Sequence, residues 1–217
     1  MLEDAPNILG ILVAIGVVGL VPLAVVTMTG FLKISVVLFL IRNALGTQNT
    51  PPNLVLYGIA LVLTAYVTAP LASEISSRLE ENRITFESSQ DVQEAARLVR
   101  APLRQHLLHF TRPGEREFFL QATERLWPDG ARRDVQVDDL SILVPAFVAS
   151  ELSRAFEIGF LIYLPFLIVD VVVASILMTL GMIMVPPVLI SVPLKLFLFV
   201  AIDGWSRLMQ GLILSYV

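Results

Sequence analysis

The chain has 217 residues, of which 56% are hydrophobic and 16% charged, and a formal net charge of −4 at pH 7. Soluble domains carry about 25% charged residues, so this composition, with a mean hydropathy of +0.78, is that of a membrane-class protein. The small negative charge speaks against nucleic-acid binding, and the lack of cysteine excludes disulfides and cysteine-ligated metals.

Charge is concentrated in one place. Ten arginines, from Arg78 to Arg133, fall within residues 73–140. The division expected is an N-terminal hydrophobic block (1–72), a polar insert (73–140) and a C-terminal hydrophobic block (141–217). Met1 to Asn7 is acidic and lacks the basic start of a secretory signal, so the first hydrophobic stretch is expected to be retained. Ile8 to Val26 is long enough for a spanning helix. Gly10 and Ala14 have a spacing that permits close helix contact, and Pro22 is a candidate kink. Thr27-Met-Thr-Gly30 interrupts the run and Phe31 to Ile41 resumes it. Lys33 is expected to snorkel to an interface. Arg42 to Asn53 reads as a turn: Gly46 is a C-cap, Pro51-Pro52 blocks continuation, and Asn53 is a candidate cap for the next helix. Leu54 to Ala72 is the second apolar helix, which makes Phe31–Ala72 a helical hairpin.

The insert reads as short amphipathic helices outside the bilayer. One starts near Ser88-Ser89 and is expected to break at Pro102. Another covers Glu115 to Trp127. His106 and His109, three apart with no carboxylate cluster nearby, are expected to be packing or surface side chains rather than metal ligands. Asp138-Asp139 starts the next helix, because acids suit that positively charged end. Glu151, Arg154 and Glu157 share one face and have ion-pair spacing. Their apolar flanks imply that Glu151 meets a partner charge on this chain or on a neighbour. Pro165 is expected to kink or reset the helix. Asp170 and Lys195 are costly in so apolar a run and should face protein or water. Gly181-Met-Ile-Met-Val-Pro-Pro187 ends one helix and starts another. Irregular backbone at such depth needs burial or a cavity to line. Asp203-Gly204-Trp205 breaks the last run before a short terminal helix.

No phosphate loop, H-E-x-x-H pair, G-x-S-x-G elbow or cysteine nucleophile is present. An enzyme is therefore not expected, and no cofactor is implied. A proton-coupled secondary transporter using Asp170 is the alternative to a structural pore, because broken helices and intramembrane acids occur there too.

Several segments in order resemble the FliP/SctR family of type III secretion export apparatus proteins. They are Arg42-Asn-Ala-Leu-Gly46 with Thr50-Pro-Pro-Asn53, Pro145-Ala-Phe-Val-Ala-Ser-Glu-Leu-Ser-Arg-Ala-Phe156, Pro165-Phe-Leu-Ile-Val-Asp170, Gly181 to Pro187, Pro193-Leu-Lys195 and Asp203-Gly-Trp205. The resemblance implies an all-α fold of hydrophobic hairpins with a helical polar insert, packed as a homopentamer into a helical, conical export gate. It implies smaller S and T subunits, export-switch and large export-gate subunits, and transient unfolded secretion substrates as partners. It also implies a place in the bacterial inner membrane, displaced toward the periplasm, with a periplasmic insert. The methionine gasket of the family carries over to Met182 and Met184, with Ile183 where many relatives have a third methionine. The inter-subunit salt bridge carries over to Glu151 and Lys195, with Arg116 as the candidate second cation. Flagellar members usually carry a cleaved signal and a longer N-terminal region, so the virulence injectisome type is favoured.

Overall fold

The computed structural model describes residues 19, 22–84, 89–128, 130 and 135–217. All regular structure among them is helical: α1 (Pro22–Met28), α2 (Phe31–Ala44), α3 (Asn53–Glu81), α4 (Ser89–Phe110), α5 (Pro113–Leu126), α6 (Leu140–Thr179), α7 (Val188–Ala201) and α8 (Gly204–Leu214). The close-packing pair Gly10 and Ala14, and most of the span expected over Ile8–Val26, lie outside the described residues.

The long helix α6 is the spine. At about 1.5 Å per residue, its 40 residues reach roughly 60 Å. It is flanked by α2, α4, α5 and α7. The main core lies between α2, α3, α6, α7 and α8, around Ile34, Val37, Leu38, Ile41, Phe166 and Phe199. The α2 members recur at three- and four-residue spacing, which places them on one helix face. A second, smaller core joins the insert to α6 through Leu107, Leu143 and Phe147.

The turns follow the local chemistry. Gly46 takes the left-handed conformation (φ 77°) that ends α2. Asn53 does not cap α3; Pro52 stands at that position. The Asn53 side chain instead accepts a 2.6 Å hydrogen bond from the Arg42 guanidinium, which also donates to Pro51 O at 3.2 Å. The hairpin is thus tied by a cation rather than by a cap. The helix expected over Leu54–Ala72 runs on to Glu81.

One proline behaves differently from expectation: the helix does not break at Pro102. Pro102 lies inside α4, and Pro165, like Pro145, lies inside α6. A proline removes one ladder bond at a cost of about 3 kcal/mol. Ending a helix in apolar surroundings would leave several backbone groups unpaired instead. Continuing the helix is the smaller loss.

Both α3 and α6 are long and apolar enough to cross a membrane, and the pairs α1/α2 (76° bend) and α7/α8 (64° bend) would add two if each counts as one broken span. This is a membrane protein by length and composition of its helices.

Close packing of α2 on α6 depends on Gly159, where an added methyl would press on the Leu40 side chain. Gly58, on the exposed side of α3, has nothing within 4 Å of that position. Alanine gains up to about 1 kcal/mol over glycine inside a helix, whereas overpacking costs about 1–3 kcal/mol. Thermal unfolding in detergent should therefore show Gly159→Ala destabilised and Gly58→Ala unchanged or stabilised.

His106, in α4, packs its ring against Phe110 and Phe147 and leaves Nε2 buried without a partner. Burial, with a smaller contribution from His109, lowers its pKa below the usual histidine value. The folded state thus prefers neutral His106. Its contribution is present above the unfolded pKa, about 6.5, and is lost as pH falls below that value. Between pH 7.5 and 5.5 the wild type should lose more stability than His106→Gln; parallel melting profiles would exclude this contribution.

Candidate functional site

Three arrangements on α6 and its neighbours combine buried charge or exposed apolar side chains. The first is the loop between α6 and α7. At the end of α6, Gly181 N–H donates to Met178 O (3.1 Å) and Met182 N–H donates to Leu177 O (2.9 Å). With Gly181 left-handed at φ 70°, this is a Schellman ending. Val185 N–H then donates to Met182 O at 3.2 Å, and Pro186-Pro187 leads into α7. The backbone is therefore tied, while the side chains stand clear: Met182 is 42%, Ile183 84% and Met184 97% exposed.

The second arrangement holds this hairpin at its base. Lys195 Nζ, on α7, lies 2.5 Å from Asp170 Oδ2 on α6 and donates at 3.0 Å to Ala44 O, in the last turn of α2. A cation suits that end of a helix, where carbonyls lack partners. Lys195 is buried and Asp170 half-buried. Both residues face protein, as their cost in an apolar run requires.

The third arrangement surrounds Glu151, which is 0% exposed. Its Oε1 lies 3.5 Å from Lys33 Nζ and 3.5 Å from Arg154 Nη1. Its Oε2 accepts a hydrogen bond from the Tyr216 hydroxyl. Lys33 does not snorkel: its side chain is 1% exposed, because α2 turns it toward α6, where a carboxylate waits. An isolated buried charge costs far more than a paired one, so the pair is favoured once α2 and α6 pack. Six residues further along, Glu157 pairs with Arg112 at 2.6 Å, and the Arg112 backbone N–H donates to Ser150 Oγ at 3.0 Å. These contacts dock the start of α5 on α6. Glu157 thus pairs across elements and not with Arg154.

Within one chain, Glu151 and Lys195 occupy separate networks near opposite ends of α2. No ion pair joins Arg116 to either among the described residues. Its Nε is buried without a hydrogen bond. Sequence reasoning did not single out Tyr216 or Ser150, and it gave Lys33 a different environment. Long-range pairing leaves no mark in periodicity; an apolar spacing in α8 that aims the following residues inward was the only available signal. His109 meets Phe110 edge-on at 4.8 Å. Among the described residues no group of three His, Asp or Glu side chains is placed to hold a metal ion.

Apolar side chains also cover much of the outer surface. On α6 they include Phe160, Leu161, Ile168 and Val171, and on α7 Phe197 and Val200, all exposed. Less than a quarter of the most apolar window of α3 or α6 is buried within the chain.

The sequence matches the FliP family over residues 14–212. It is 56% identical over 216 residues to "Probable translocation protein y4yL" of Sinorhizobium fredii, covering 100% of this chain and 97% of that protein. It is 43% identical to "Yop proteins translocation protein R" of Yersinia pestis, covering 97% of each. It is 39% identical to "Virulence protein YscR" of Salmonella typhimurium, covering 99% of each. The matched region takes in Lys33, Glu151 and Arg154, the Lys195 pair and the methionine loop, and the chain belongs to the FliP family.

Proposed function

We propose that this chain is a structural, pore-forming subunit of a type III secretion export apparatus, of the virulence injectisome type, and that it performs no chemistry itself. It acts as a homopentamer with S and T subunits in the bacterial inner membrane, displaced toward the periplasm. Unfolded secretion substrates pass through the assembled conduit. Energy comes from the proton gradient and from other subunits, including the export-switch and large export-gate proteins. The family membership and the names of the relatives support this reading. The observation that carries it is the loop from Met182 to Met184, whose side chains are exposed on a tied turn between two apolar arms.

A seal for a conduit has to close without water and yet yield to many different chains. Met182 and Met184 fit, because methionine is unbranched and adapts its shape to what it touches. Ile183 is branched and stiffer, and narrows the range of shapes the ring can adopt. In this reading the exposed apolar faces of α3, α6 and α7 meet neighbouring subunits or lipid. Glu151 and Lys195 contribute to the contact between neighbouring copies, with Arg116 as second cation. No observation favours the transporter reading, since the charge of Asp170 is matched by Lys195.

Met184→Ala removes the most exposed side chain of the loop. It should raise ion leakage in cells that contain the assembled complex. Unchanged conductance, with assembly verified by native mass spectrometry, would remove the gasket assignment. Glu151→Ala leaves Lys33 buried without its carboxylate, a loss of about 3–5 kcal/mol for a broken buried pair. Both the melting temperature of the chain in detergent and the oligomer yield should fall. An oligomer of normal abundance in this variant would rule out a role for Glu151 in assembly.

A further inference from the structure

Tyr216 follows α8 and enters the space between α2, α4 and α6. Its ring meets Phe110 edge-on at 5.4 Å between centroids. Lys33 Nζ lies 3.4 Å from its ring centre, the geometry of a cation–π contact. Its hydroxyl faces two acceptors, Glu151 Oε2 and, at 3.2 Å, Gly30 O. The site is shaped to admit this phenol: a methyl at Gly30 would overlap the Tyr216 hydroxyl and the ring carbon that bears it.

The two oxygens of Glu151 are therefore used differently. Oε2 is held by a neutral donor inside the fold. Oε1 faces two cations, each at 3.5 Å, a distance too long to fix a carboxylate by itself. The terminal torsion of glutamate has a broad preference, so orientation has to come from the phenol. Of the two cations only Arg154, with 30% of its side chain exposed, leads from the buried carboxylate to the surface of α6.

We infer that Tyr216 is a positioning residue for Glu151: its hydroxyl pins Oε2, and its ring seats Lys33, so that the buried Oε1 holds Arg154, whose part-exposed guanidinium faces a neighbouring copy of this chain. The inference rests on the proposed role of Glu151 between subunits.

The test uses the full chain with its partner subunits, and compares Tyr216→Phe, Glu151→Gln and the double variant. Melting of the dispersed chain in detergent reports folding, and native mass spectrometry reports the oligomer fraction. Tyr216→Phe keeps the ring against Phe110 and Lys33. Melting should fall, as for loss of one hydrogen bond to a charged group, and the oligomer population should fall about tenfold beyond what the lower stability of the chain accounts for. The double variant should lose no more than Glu151→Gln alone, because coupled residues are not additive. Gly30→Ala, which crowds the same hydroxyl, should reproduce the Tyr216→Phe loss, and replaces it if the phenylalanine variant does not fold. An oligomer loss that merely follows melting, or that persists undiminished in the Glu151→Gln background, would make Tyr216 a packing residue and overturn the inference. Normal assembly of both Tyr216→Phe and Gly30→Ala, with Glu151→Gln defective, would overturn the inference alone. Normal assembly of Glu151→Gln would overturn the reading of Glu151 on which it stands.

Discussion

A carboxylate with no access to solvent sets the terms for this fold. Glu151 lies on α6 among apolar neighbours, and leaving it unpaired would cost several kcal/mol. Its partners come from separate parts of the chain: Lys33 from α2, Arg154 from the next turn of α6, and Tyr216 from beyond α8. Elements distant in sequence therefore have to be in place together before the charge is satisfied. The apolar core around Ile34, Leu38 and Phe166 supplies most of the driving force, but hydrophobic contact is non-directional. The ion pair adds direction, because one register of α2 against α6 brings Lys33 opposite Glu151.

The second buried cation works the same way at the other end of α2. Lys195 binds Asp170 and the free carbonyl of Ala44, so α7 is anchored to both α6 and α2 just where the hairpin leaves the core. From there outward, the chain has few internal contacts. Exposed apolar side chains on α6 and α7 cannot be stable against water over such an area. The isolated fold is thus a part whose surface needs lipid or other subunits, and its internal ion pairs hold that surface in shape beforehand.

The turns and the helical class were legible in the residues. Gly46, Gly181 and Pro186-Pro187 mark chain reversals, because left-handed backbone and missing N–H groups have few alternatives. The helix start after Asp138-Asp139 was legible for a similar local reason. Pro102 was not, since whether a proline ends a helix depends on how well the flanking turns are packed. Lys33 was misjudged for a related reason: near a helix end in sequence, its environment is set by a carboxylate 118 positions away. Tyr216 was invisible to any reading of periods and caps. Of the residues assigned by resemblance, the methionines occupy the exposed loop, whereas Glu151 and Lys195 have partners within the chain that no motif announced.

Those internal partners bear on how such a subunit can be both stable and ready to assemble. If Glu151 and Lys195 were unpaired in the single chain, each would carry a desolvation penalty before any neighbour arrived, and the chain would be prone to unfold. Pairing them internally offsets part of that penalty and leaves one part-exposed member in each network, Arg154 in one and Asp170 in the other. In the proposed assembly a neighbour adds a contact to charges already partnered within the chain, at little cost in reorganisation. The methionine loop follows the same division: a backbone fixed by its Schellman ending carries side chains that stay adaptable. In the proposed assembly this places rigidity where partners have to find a surface, and softness where a passing chain has to be accommodated.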